Sequence, residues 1–498
     1  MNGWRILLEA ARAPAAALAE ALRHPKRQQL DLLHDIVSAN ALTLFGRAHG
    51  FASIRSLAEY RAAVPVQSSE AFRPFIEKIA AGESRVLTQY PVVAFEETGG
   101  TASGRKLIPY TLASLAGFRA AVLPWLASLA QRRPEITAGS AYVAISPATR
   151  QPRRTAGGIA VGLDSDAAYL GDDLAAAFVS ILAVPPDVGG LRDMRAWRIA
   201  TLAHLVERHD LSFVSVWSPT FFLDLIEALP GLADSLAARL SPAARQRLAR
   251  ALAGGHIATP VLWPQLAAIS CWTEAGSRGF ARRLQALCPH AAMEPKGLLA
   301  TEAAITLPWG EGPGCVPALT STFIECIDAA GQPWLAHELQ DNTSYTIAIT
   351  THGGLYRYAM GDRVRCVSVR DGCPRLVFEG RATLVSDMVG EKLEEAFVAS
   401  VLNTLGVIAA LAPEANHKPH YKLWLDDESP AHAALARAVD AALRANPQYA
   451  YARDLGQLGP VIAIHRPAFQ AHRSHARLAA GHRLGDLKPV CLILDPQS

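Results

Sequence analysis

From about residue 86 onward the chain alternates short β-rich runs with helical segments, and this alternation limits its fold more than any other feature. The β-rich runs include RVLTQYPVVAF, AYVAIS and FVSVW. Segments such as AWRIATLAHLVERH and SLAARLSPAARQRLARALA repeat apolar residues at helical spacing. Strands that alternate with helices predict a mainly parallel sheet covered by helices. We therefore expect an α/β fold.

Two further kinds of region flank this alternating part. Residues 1–85 predict helices, because apolar residues recur every three or four positions in ILLEAA, AALAEAL and LDLLHDIV. Between 314 and 380 strand-like runs follow closely on one another, which is typical of a barrel or a small antiparallel sheet. Residues 381–498 are enough for one α+β domain, with strands at HYKLWLD and PVIAIHR. The predicted domains are thus a large one over residues 1–380 and a small one over residues 381–498.

The composition argues against several classes of partner. The formal net charge of the 498 residues is only +3 and the basic residues are scattered, which argues against nucleic acid. The N-terminal segment contains acids and arginines, unlike a signal peptide, and no uncharged apolar run is long enough to span a bilayer. The seven cysteines form no C-x-x-C pair, so we expect reduced, mostly buried thiols. These features predict a cytoplasmic protein with no nucleic-acid or membrane partner.

A glycine-rich stretch, ETGGTASGRK over residues 97–106, follows a predicted strand. Its glycines leave backbone N–H groups accessible, and Thr98, Thr101 and Ser103 add hydroxyl groups. Convergent donors beside a cation, here Lys106, suit a polyphosphate. The stretch does not match the P-loop pattern, because leucine follows Lys106. A glycine-rich turn with a solvated lysine is the commoner explanation of such a stretch, so other motifs must decide.

Two carboxylates lie in further motifs that bear on a nucleotide site. Glu302 follows an apolar run in KGLLATEAAI, residues 296–305, where it can hold Mg²⁺ against phosphate oxygens. Asp362 ends THGGLYRYAMGD, residues 351–362, and a carboxylate behind a glycine can accept both hydroxyls of a ribose. Taken alone, Glu302 is more typical of a helix start or a salt bridge, and Asp362 of a turn.

Together, and in this order, the three stretches resemble the nucleotide motifs of adenylate-forming enzymes. More specifically, the chain resembles the auxin-responsive acyl acid amido synthetase family and its bacterial relatives over nearly its whole length. The blocks that carry the resemblance are NALTLFGRAHGF (40–51), AAGESRVLT (80–88), ETGGTASGRKLIPYT (97–111), SVWSPTFF (215–222), KGLLATEA (296–303), GGLYRYAMGDRV (353–364), FEGRATLVSDMVGEKLEE (378–395) and GHRLGDLKP (481–489).

The resemblance implies both a fold and a reaction. The implied fold has a large domain of parallel sheets, helices and a small β-barrel-like part, followed by a small mobile C-terminal α+β domain. In the implied reaction, a carboxylic acid attacks the α-phosphate of ATP to give an acyl adenylate and pyrophosphate. An amino acid or another amine then displaces AMP to form an amide. ATP and Mg²⁺ are the implied cofactors.

The resemblance also implies roles for single residues in the nucleotide site. The phosphate cradle is carried over as Thr98, Gly99, Gly100, Thr101 and Gly104, with Lys106 beside it. Glu302 is implied as the Mg²⁺ ligand and Thr301 as its neighbour near the α-phosphate. Asp362 matches the ribose-binding aspartate, and Tyr356 or Tyr358 is expected to pack near the nucleotide.

Two further residues belong to the predicted small domain or its border. Arg381 resembles a hinge arginine at the start of that domain. Lys488, in GHRLGDLKP, matches a C-terminal lysine that related enzymes swing into the site during adenylation. Without the family, Lys488 reads as a solvated lysine of the tail.

The acid pocket is predicted from SVWSPTFF and ISCWT, which correspond to regions near the acid in relatives. The candidate residues are Val216, Trp217, Ser218, Phe221, Cys271 and Trp272. Aromatic and small apolar side chains suit a flat or alicyclic acid, and core packing is the alternative for each of them.

The sequence departs from the family pattern at four positions. The family usually has a serine at the position of Gly99 and a T-x-G pattern where Ala102 and Ser103 stand. At the position of Thr383 an aspartate is common. Losing one neutral donor typically costs about 0.5–1.5 kcal/mol, which slows an enzyme without abolishing its activity. A non-catalytic protein that binds nucleotide or acid therefore stays open as an alternative. So does transfer of the acyl group to coenzyme A or to the thiol of a separate carrier protein.

Overall fold

The computed structural model describes residues 3–98, 106–144, 153–162, 170–370, 372–382, 384–415, 419–479 and 487–494. Helices and strands alternate over most of this part of the chain. The helices are α1 (Gly3–Arg23), α2 (Pro25–Ala39), α3 (Leu44–Ala48), α4 (Leu57–Ala63), α5 (Ser69–Ala80), α6 (Leu112–Arg132), α7 (Asp172–Ile181), α8 (Met194–Glu207), α9 (Pro219–Glu227), α10 (Leu229–Ala237), α11 (Pro242–Leu252), α12 (Thr259–Leu262), α13 (Arg278–Leu287), α14 (Glu395–Thr404), α15 (His432–Leu443), α16 (Pro447–Asp454) and α17 (Phe469–Ala479). The strands are β1 (Val92–Thr98), β2 (Lys106–Thr111), β3 (Ser140–Val143), β4 (Arg153–Arg154), β5 (Ala160–Val161), β6 (Leu211–Ser215), β7 (Ala268–Cys271), β8 (Ala292–Pro295), β9 (Thr306–Leu307), β10 (Val316–Pro317), β11 (Phe323–Ile327), β12 (Pro333–Trp334), β13 (Ser344–Thr350), β14 (Tyr358–Arg370), β15 (Cys373–Arg381), β16 (Val385–Ser386), β17 (Leu393–Glu394), β18 (Ala410–Glu414), β19 (His420–Leu425) and β20 (Ile462–His465).

A parallel sheet in the order β3-β6-β7-β8 confirms the predicted α/β fold. Alternate residues of its strands enter different cores. Val214 packs with Phe222 and Trp263 on one face, whereas Phe213 packs with Trp4 on the other. Burial on both faces explains why these strands read as continuous apolar runs. The carboxyl ends of the four strands lie along one edge, which is where α/β sheets bind ligands.

An antiparallel sheet follows, in the order β12-β11-β13-β14-β15. Of the two alternatives for residues 314–380, the antiparallel sheet is the one observed in the described residues. The runs GLYRYAMGD and RVRCVSV, which look like two strands, contribute to the single strand β14. Gly361 has a φ of 75° and lies where the pairing with β13 is irregular. Asp362 therefore lies within a strand and not in the turn that its sequence context favours.

A buried ion cluster attaches the N-terminal helices to this sheet. Glu325 is 1% exposed, and its carboxylate accepts hydrogen bonds from Arg357 Nε at 2.7 Å and from Arg61 Nε at 2.8 Å. Arg357 Nη1 donates to the carbonyl oxygen of Val64 at 2.9 Å. The backbone N–H of Gln67 donates to the carbonyl oxygen of Arg357 at 3.0 Å. The end of α4 and the residues after it are thereby fixed against the start of β14.

The C-terminal residues build a separate core around the sheet β18-β19-β20, with Val398, Tyr421, Val439 and Leu492 among its members. This core packs against the segment after β7. Asn403 Nδ2 donates to the carbonyl oxygen of Ala275 at 2.9 Å. In the same segment, the carboxylate of Glu274 accepts a hydrogen bond from the backbone N–H of Phe378 at 2.6 Å. The segment after β7 thus contacts both the antiparallel sheet and the C-terminal core.

All seven cysteines are free thiols and six of them are buried, which confirms the prediction of reduced, mostly buried cysteines. Helix α6 is the one helix in the described part of the chain that is long and apolar enough to cross a membrane, and length and composition alone are weak evidence for that. It carries Arg119, whose Nη1 donates to Asp173 Oδ1 at 2.7 Å, and Leu123 and Leu129 on it are buried in a core shared with α1.

Replacing the central carboxylate of the ion cluster, Glu325→Gln, should lower the free energy of unfolding by about 3–5 kcal/mol. The substitution leaves two guanidinium groups without their anion in a buried site. Chemical denaturation of the full-length protein measures the change. Glu9→Gln is the control, because Glu9 pairs with Arg12 on the exposed face of α1. A loss as small as that of the control, within about 0.5 kcal/mol, would contradict a structural role for Glu325.

The stability of the protein should also depend on pH through Glu274. Burial raises the pKa of its carboxyl group from 4.5 to about 7. Between these two values the folded state holds a proton that the unfolded state has lost, so stability falls as pH rises through this window. Glu274→Gln keeps an oxygen that accepts from Phe378 N and removes the titration. The melting temperature of the variant should therefore change less than that of the wild type between pH 5 and pH 8. An identical pH dependence in both proteins would exclude Glu274 as the cause.

Candidate active site

The hairpin of β1 and β2 carries the glycine-rich stretch. Thr98 and Lys106 face each other in antiparallel register at the end of the hairpin where the chain passes from β1 to β2. The intervening cradle residues Gly99, Gly100, Thr101 and Gly104, and the departures at Ala102 and Ser103, lie outside the described residues. Lys106 is half-buried as the first residue of β2. Its cation thus lies at the exit of the predicted phosphate loop.

Tyrosine hydroxyls connect the hairpin and β14 to the KGLLATEAAI stretch. Tyr110, on β2, donates to the carbonyl oxygen of Thr301 at 2.7 Å. Tyr358, the first residue of β14, donates to Glu302 Oε1 at 3.4 Å. Burial raises the pKa of Glu302, Asp362 acts in the same direction, and Arg381 and Lys488 oppose it. Stretches that are far apart in sequence therefore meet around Glu302.

Asp362 is 2% exposed, and its Oδ1 has no hydrogen-bond partner among the described residues. Arg381 faces it across the β14–β15 pairing, with its Nε at 3.6 Å from Asp362 Oδ1. A buried carboxylate oxygen without a donor costs free energy, so such atoms call for an explanation. A ligand with two hydroxyl donors, such as a ribose, would supply the hydrogen bonds that the Asp362 carboxylate lacks among the described residues.

Lys488 reaches the same group of charges from the C-terminal end of the chain. Its ammonium lies 5.0 Å from the ring centroid of Trp272 and 5.7 Å from that of Phe378. Burial lowers the pKa of Lys488, and among the nearby charges Asp362 opposes this most strongly. Lys488 is thus not a solvated lysine of the tail.

Of the two tyrosines considered for the nucleotide, Tyr356 is not placed to contact it. Tyr356 is 0% exposed, stacks on Phe45 with centroids 4.7 Å apart, and donates to the carbonyl oxygen of Leu87 at 2.5 Å. Tyr356 precedes β14, and Arg357 between the two tyrosines has a φ of 45°, so the chain is not extended there and the two side chains take different directions. Of the two, Tyr358 is the tyrosine that contacts Glu302.

The residues predicted for the acid pocket fall into two groups. Val216, Ser218 and Phe221 are at most 2% exposed, and Val216 and Phe221, with Cys271, belong to the core under the parallel sheet. Trp217 and Trp272 are half-buried at the carboxyl edge of that sheet, with ring centroids 6.1 Å apart.

Lys296 is a residue of this edge that the sequence reasoning missed. It directly follows β8, is 6% exposed, and donates to Ser215 Oγ at 2.6 Å. Its ammonium also lies 5.1 Å from the ring centroid of Trp217 and 5.3 Å from that of Trp125. The sequence signal that could have identified Lys296 was its position just after a strand of the parallel sheet, at the start of KGLLATEAAI.

In the described residues no group of three histidine, cysteine or carboxylate side chains forms a metal cage. Glu302 instead offers a single hard oxygen donor beside the position proposed for the phosphates. This donor set fits Mg²⁺, which is usually held by one or two carboxylates together with substrate phosphates and water.

Comparisons with known proteins bear on the family and the fold of the chain. The model of the GH3 family N-terminal domain matches residues 15–242, and that of the GH3 family central domain matches residues 317–381. A protein of Oryza sativa subsp. japonica provisionally named indole-3-acetic acid-amido synthetase GH3.10 is 25% identical over 374 residues, which cover 69% of this chain and 76% of that protein.

Two solved structures are similar in fold. The AtGH3.15 acyl acid amido synthetase in complex with 2,4-DB superposes with a TM-score of 0.87 at 17% identity, over 98% of this chain and 95% of the other. A 2-hydroxyisobutyryl-CoA ligase in complex with 2-HIB-AMP reaches a TM-score of 0.54 at 14% identity, over 97% of this chain and 91% of the other. These likenesses confirm the adenylate-forming enzyme fold. With two domain models of one family matching more than half of its residues, the chain belongs to the GH3 family.

Proposed function

We propose that this chain is an ATP-dependent ligase that joins a carboxylic acid to an amino acid or another amine through an acyl adenylate. One observation carries the proposal: Asp362 Oδ1 is buried without a hydrogen-bond partner among the described residues, beside Glu302, Arg381 and Lys488. An acceptor for ribose hydroxyls next to two cations suits a nucleotide that carries phosphates. Membership of the GH3 family, whose named relatives include amido synthetases, supports an amide as the product.

In the proposed complex the nucleotide lies across the motifs that the fold brings together. Asp362 accepts hydrogen bonds from the ribose hydroxyls, and Tyr358 and Arg381 line the same region. The stretch from Thr98 to Gly104 donates backbone N–H groups to the phosphates, with Lys106 as a counter-charge. Glu302 would hold Mg²⁺, which neutralises phosphate charge when bound, and Thr301 lies beside it. Trp217 and Trp272 form one wall for the acid.

The first step is an attack of one anion on another. An oxygen of the substrate carboxylate attacks the α-phosphorus, the bond from phosphorus to the bridging oxygen of the β-phosphate breaks, and pyrophosphate leaves. Negative charge grows on the phosphate oxygens in the transition state, so cations fixed in advance lower the barrier most. Lys488 and Lys106 supply such cations from two different parts of the chain.

The second step exchanges AMP for an amine. The nitrogen attacks the acyl carbon, the bond from that carbon to the AMP oxygen breaks, and the nitrogen loses a proton. The amine needs access to a site where Lys488 lies during the first step. A small domain that begins near Arg381 and turns between the steps would bring Lys488 in for the first step and give the amine access for the second. Its separate core supports the proposed boundary between residues 380 and 381.

The reduced thiols are consistent with the cytoplasmic location that we predict.

A pyrophosphate-exchange screen over aromatic, alicyclic and fatty acids tests the adenylation step. Exchange with at least one acid is expected. Coenzyme A or a panel of amines added to the productive acid then distinguishes the product, because the true acceptor accelerates AMP release. Acceleration by coenzyme A alone would favour a thioester ligase. ATP binding without exchange over the whole panel would favour a non-catalytic binding protein.

Glu302→Ala should abolish exchange with the productive acid, because it removes the proposed Mg²⁺ ligand from beside the phosphates. Exchange of labelled pyrophosphate into ATP measures the effect. Glu428→Ala, at an exposed position of the small domain, is the matched control and should exchange at the wild-type rate. Wild-type exchange by Glu302→Ala would remove Glu302 from the mechanism.

Lys488→Ala should slow adenylation far more than amide formation from a supplied acyl adenylate. The ammonium is needed only while charge grows on the phosphates, and the second step contains no pyrophosphate. The two half-reactions are measured separately, with Lys78→Ala as an exposed lysine control. Equal slowing of both steps, or intact exchange, would contradict a step-specific role for Lys488.

A further inference from the structure

We propose that Trp272 and Phe378 form an aromatic clamp that positions the ammonium of Lys488 for adenylation. Trp272 then acts as a positioning residue and not only as a wall of the acid pocket. The inference rests on the proposed function, since it assigns the clamp to the adenylation step. Its basis is the placement of the Lys488 ammonium 5.0 Å and 5.7 Å from the two ring centroids.

The clamp is built into one part of the molecule. The backbone N–H of Trp272 donates to the carbonyl oxygen of Trp217 at 2.8 Å, which fixes the residue at the sheet edge. Glu274, two residues later, accepts from the backbone N–H of Phe378 at 2.6 Å. The short segment after β7 thus carries the ring of Trp272 and is hydrogen-bonded to β15, the strand that carries Phe378. The backbones that carry the two rings are therefore held by contacts that do not involve Lys488.

Lys488 comes from a different part of the molecule. The chain just after it is hydrogen-bonded to β18, since the backbone N–H of Leu411 donates to the carbonyl oxygen of Cys491 at 2.8 Å. The backbone N–H of Ile493 donates back to the carbonyl oxygen of Leu411 at 2.8 Å. Lys488 therefore enters the clamp as an attachment of the C-terminal core, so the clamp also holds that core in its present position.

The chemistry of the surroundings explains why rings suit this purpose. Asp362, Glu302 and Glu395 all attract the Lys488 ammonium, whereas Arg381 repels it. A short ion pair with one of these carboxylates would occupy N–H donors that adenylation needs. An aromatic face attracts a cation through its quadrupole and leaves the three N–H donors of the ammonium available for phosphate oxygens. The clamp can thus hold the lysine near the carboxylates without pairing it to them.

The clamp also adjoins the proposed acid pocket. Trp272 and Trp217 are neighbours with ring centroids 6.1 Å apart, and the ammonium of Lys296 lies 5.1 Å from the centroid of Trp217. An acid that packs on this pair would press on the ring that positions Lys488. Occupation of the pocket and placement of the lysine are therefore physically linked.

The decisive experiment is a double-mutant cycle in the full-length enzyme. Trp272→Leu should lower the rate constant of pyrophosphate exchange by about two- to thirtyfold, the range expected from a cation–π contact. The KM for ATP should stay unchanged, and amide formation from a supplied acyl adenylate should keep its wild-type rate. Trp272→Phe, which keeps an aromatic face, should retain most of the exchange activity. In a Lys488→Met background, Trp272→Leu should have little further effect, because its target is gone.

A second measurement does not depend on activity. Lys488 in the ligand-free protein should react slowly with an amine-acylating reagent, as read by mass spectrometry with exposed Lys78 as the internal reference. Trp272→Leu should accelerate this labelling, whereas Trp272→Phe should not. The half-buried Trp334 of β12 provides a control, Trp334→Leu, which should leave both labelling and exchange unchanged.

Each contrary result has a distinct meaning. Additive effects in the cycle, or equal losses in Trp272→Leu and Trp272→Phe, would overturn the clamp. So would labelling of Lys488 that is insensitive to Trp272→Leu. Labelling that depends on Trp272 in a protein without exchange on any acid would retain the clamp as a contact and refute the proposed ligase activity.

Discussion

The contact between Glu325 and Arg357 is the interaction on which the remaining structure depends. The carboxylate is buried and accepts hydrogen bonds from two guanidinium groups, one of them on the N-terminal helices. Isolated charges are costly to bury, so the cluster is stable only when both cations are present. Arg357 immediately precedes Tyr358, and its backbone has a φ of 45°. The ion cluster thereby fixes the conformation of the chain that leads into β14 and places Tyr358 and Asp362 at the site.

The candidate site concentrates charge of both signs among buried and half-buried residues. Burial raises the pKa of Glu302 and lowers the pKa of Lys488, so each charged form is disfavoured by its surroundings. Asp362 adds an acceptor oxygen that receives no hydrogen bond from the described part of the chain. A ligand that brings hydroxyl groups, phosphates and a divalent cation would relieve these costs together. The arrangement is therefore complementary to a nucleotide in its charges as well as in its hydrogen-bonding groups.

Aromatic rings connect this charged region with the carboxyl edge of the parallel sheet. Trp125, Trp217, Trp272 and Phe378 alternate in space with the ammonium groups of Lys296 and Lys488. Aromatic faces attract cations without occupying their N–H donors, so these rings can hold both ammonium groups in place. In the proposed mechanism one surface would serve both the acid pocket and the adenylation lysine. In that mechanism the acid and the small domain would meet at Trp272.

The sequence alone determined the features that depend on local pattern or on family motifs. The alternation of strands and helices could be predicted from the sequence because each element buries its own apolar face. Glu302, Asp362 and Lys488 were predicted from their motifs. Tertiary structure decided the rest. It placed Tyr358 and not Tyr356 beside Glu302, and it merged two strand-like runs into β14. It also brought Lys296 to Trp217 and Phe378 to Lys488. These outcomes depend on contacts between residues far apart in the chain. Such contacts leave no local signal, because each partner taken alone is compatible with an ordinary core or surface position.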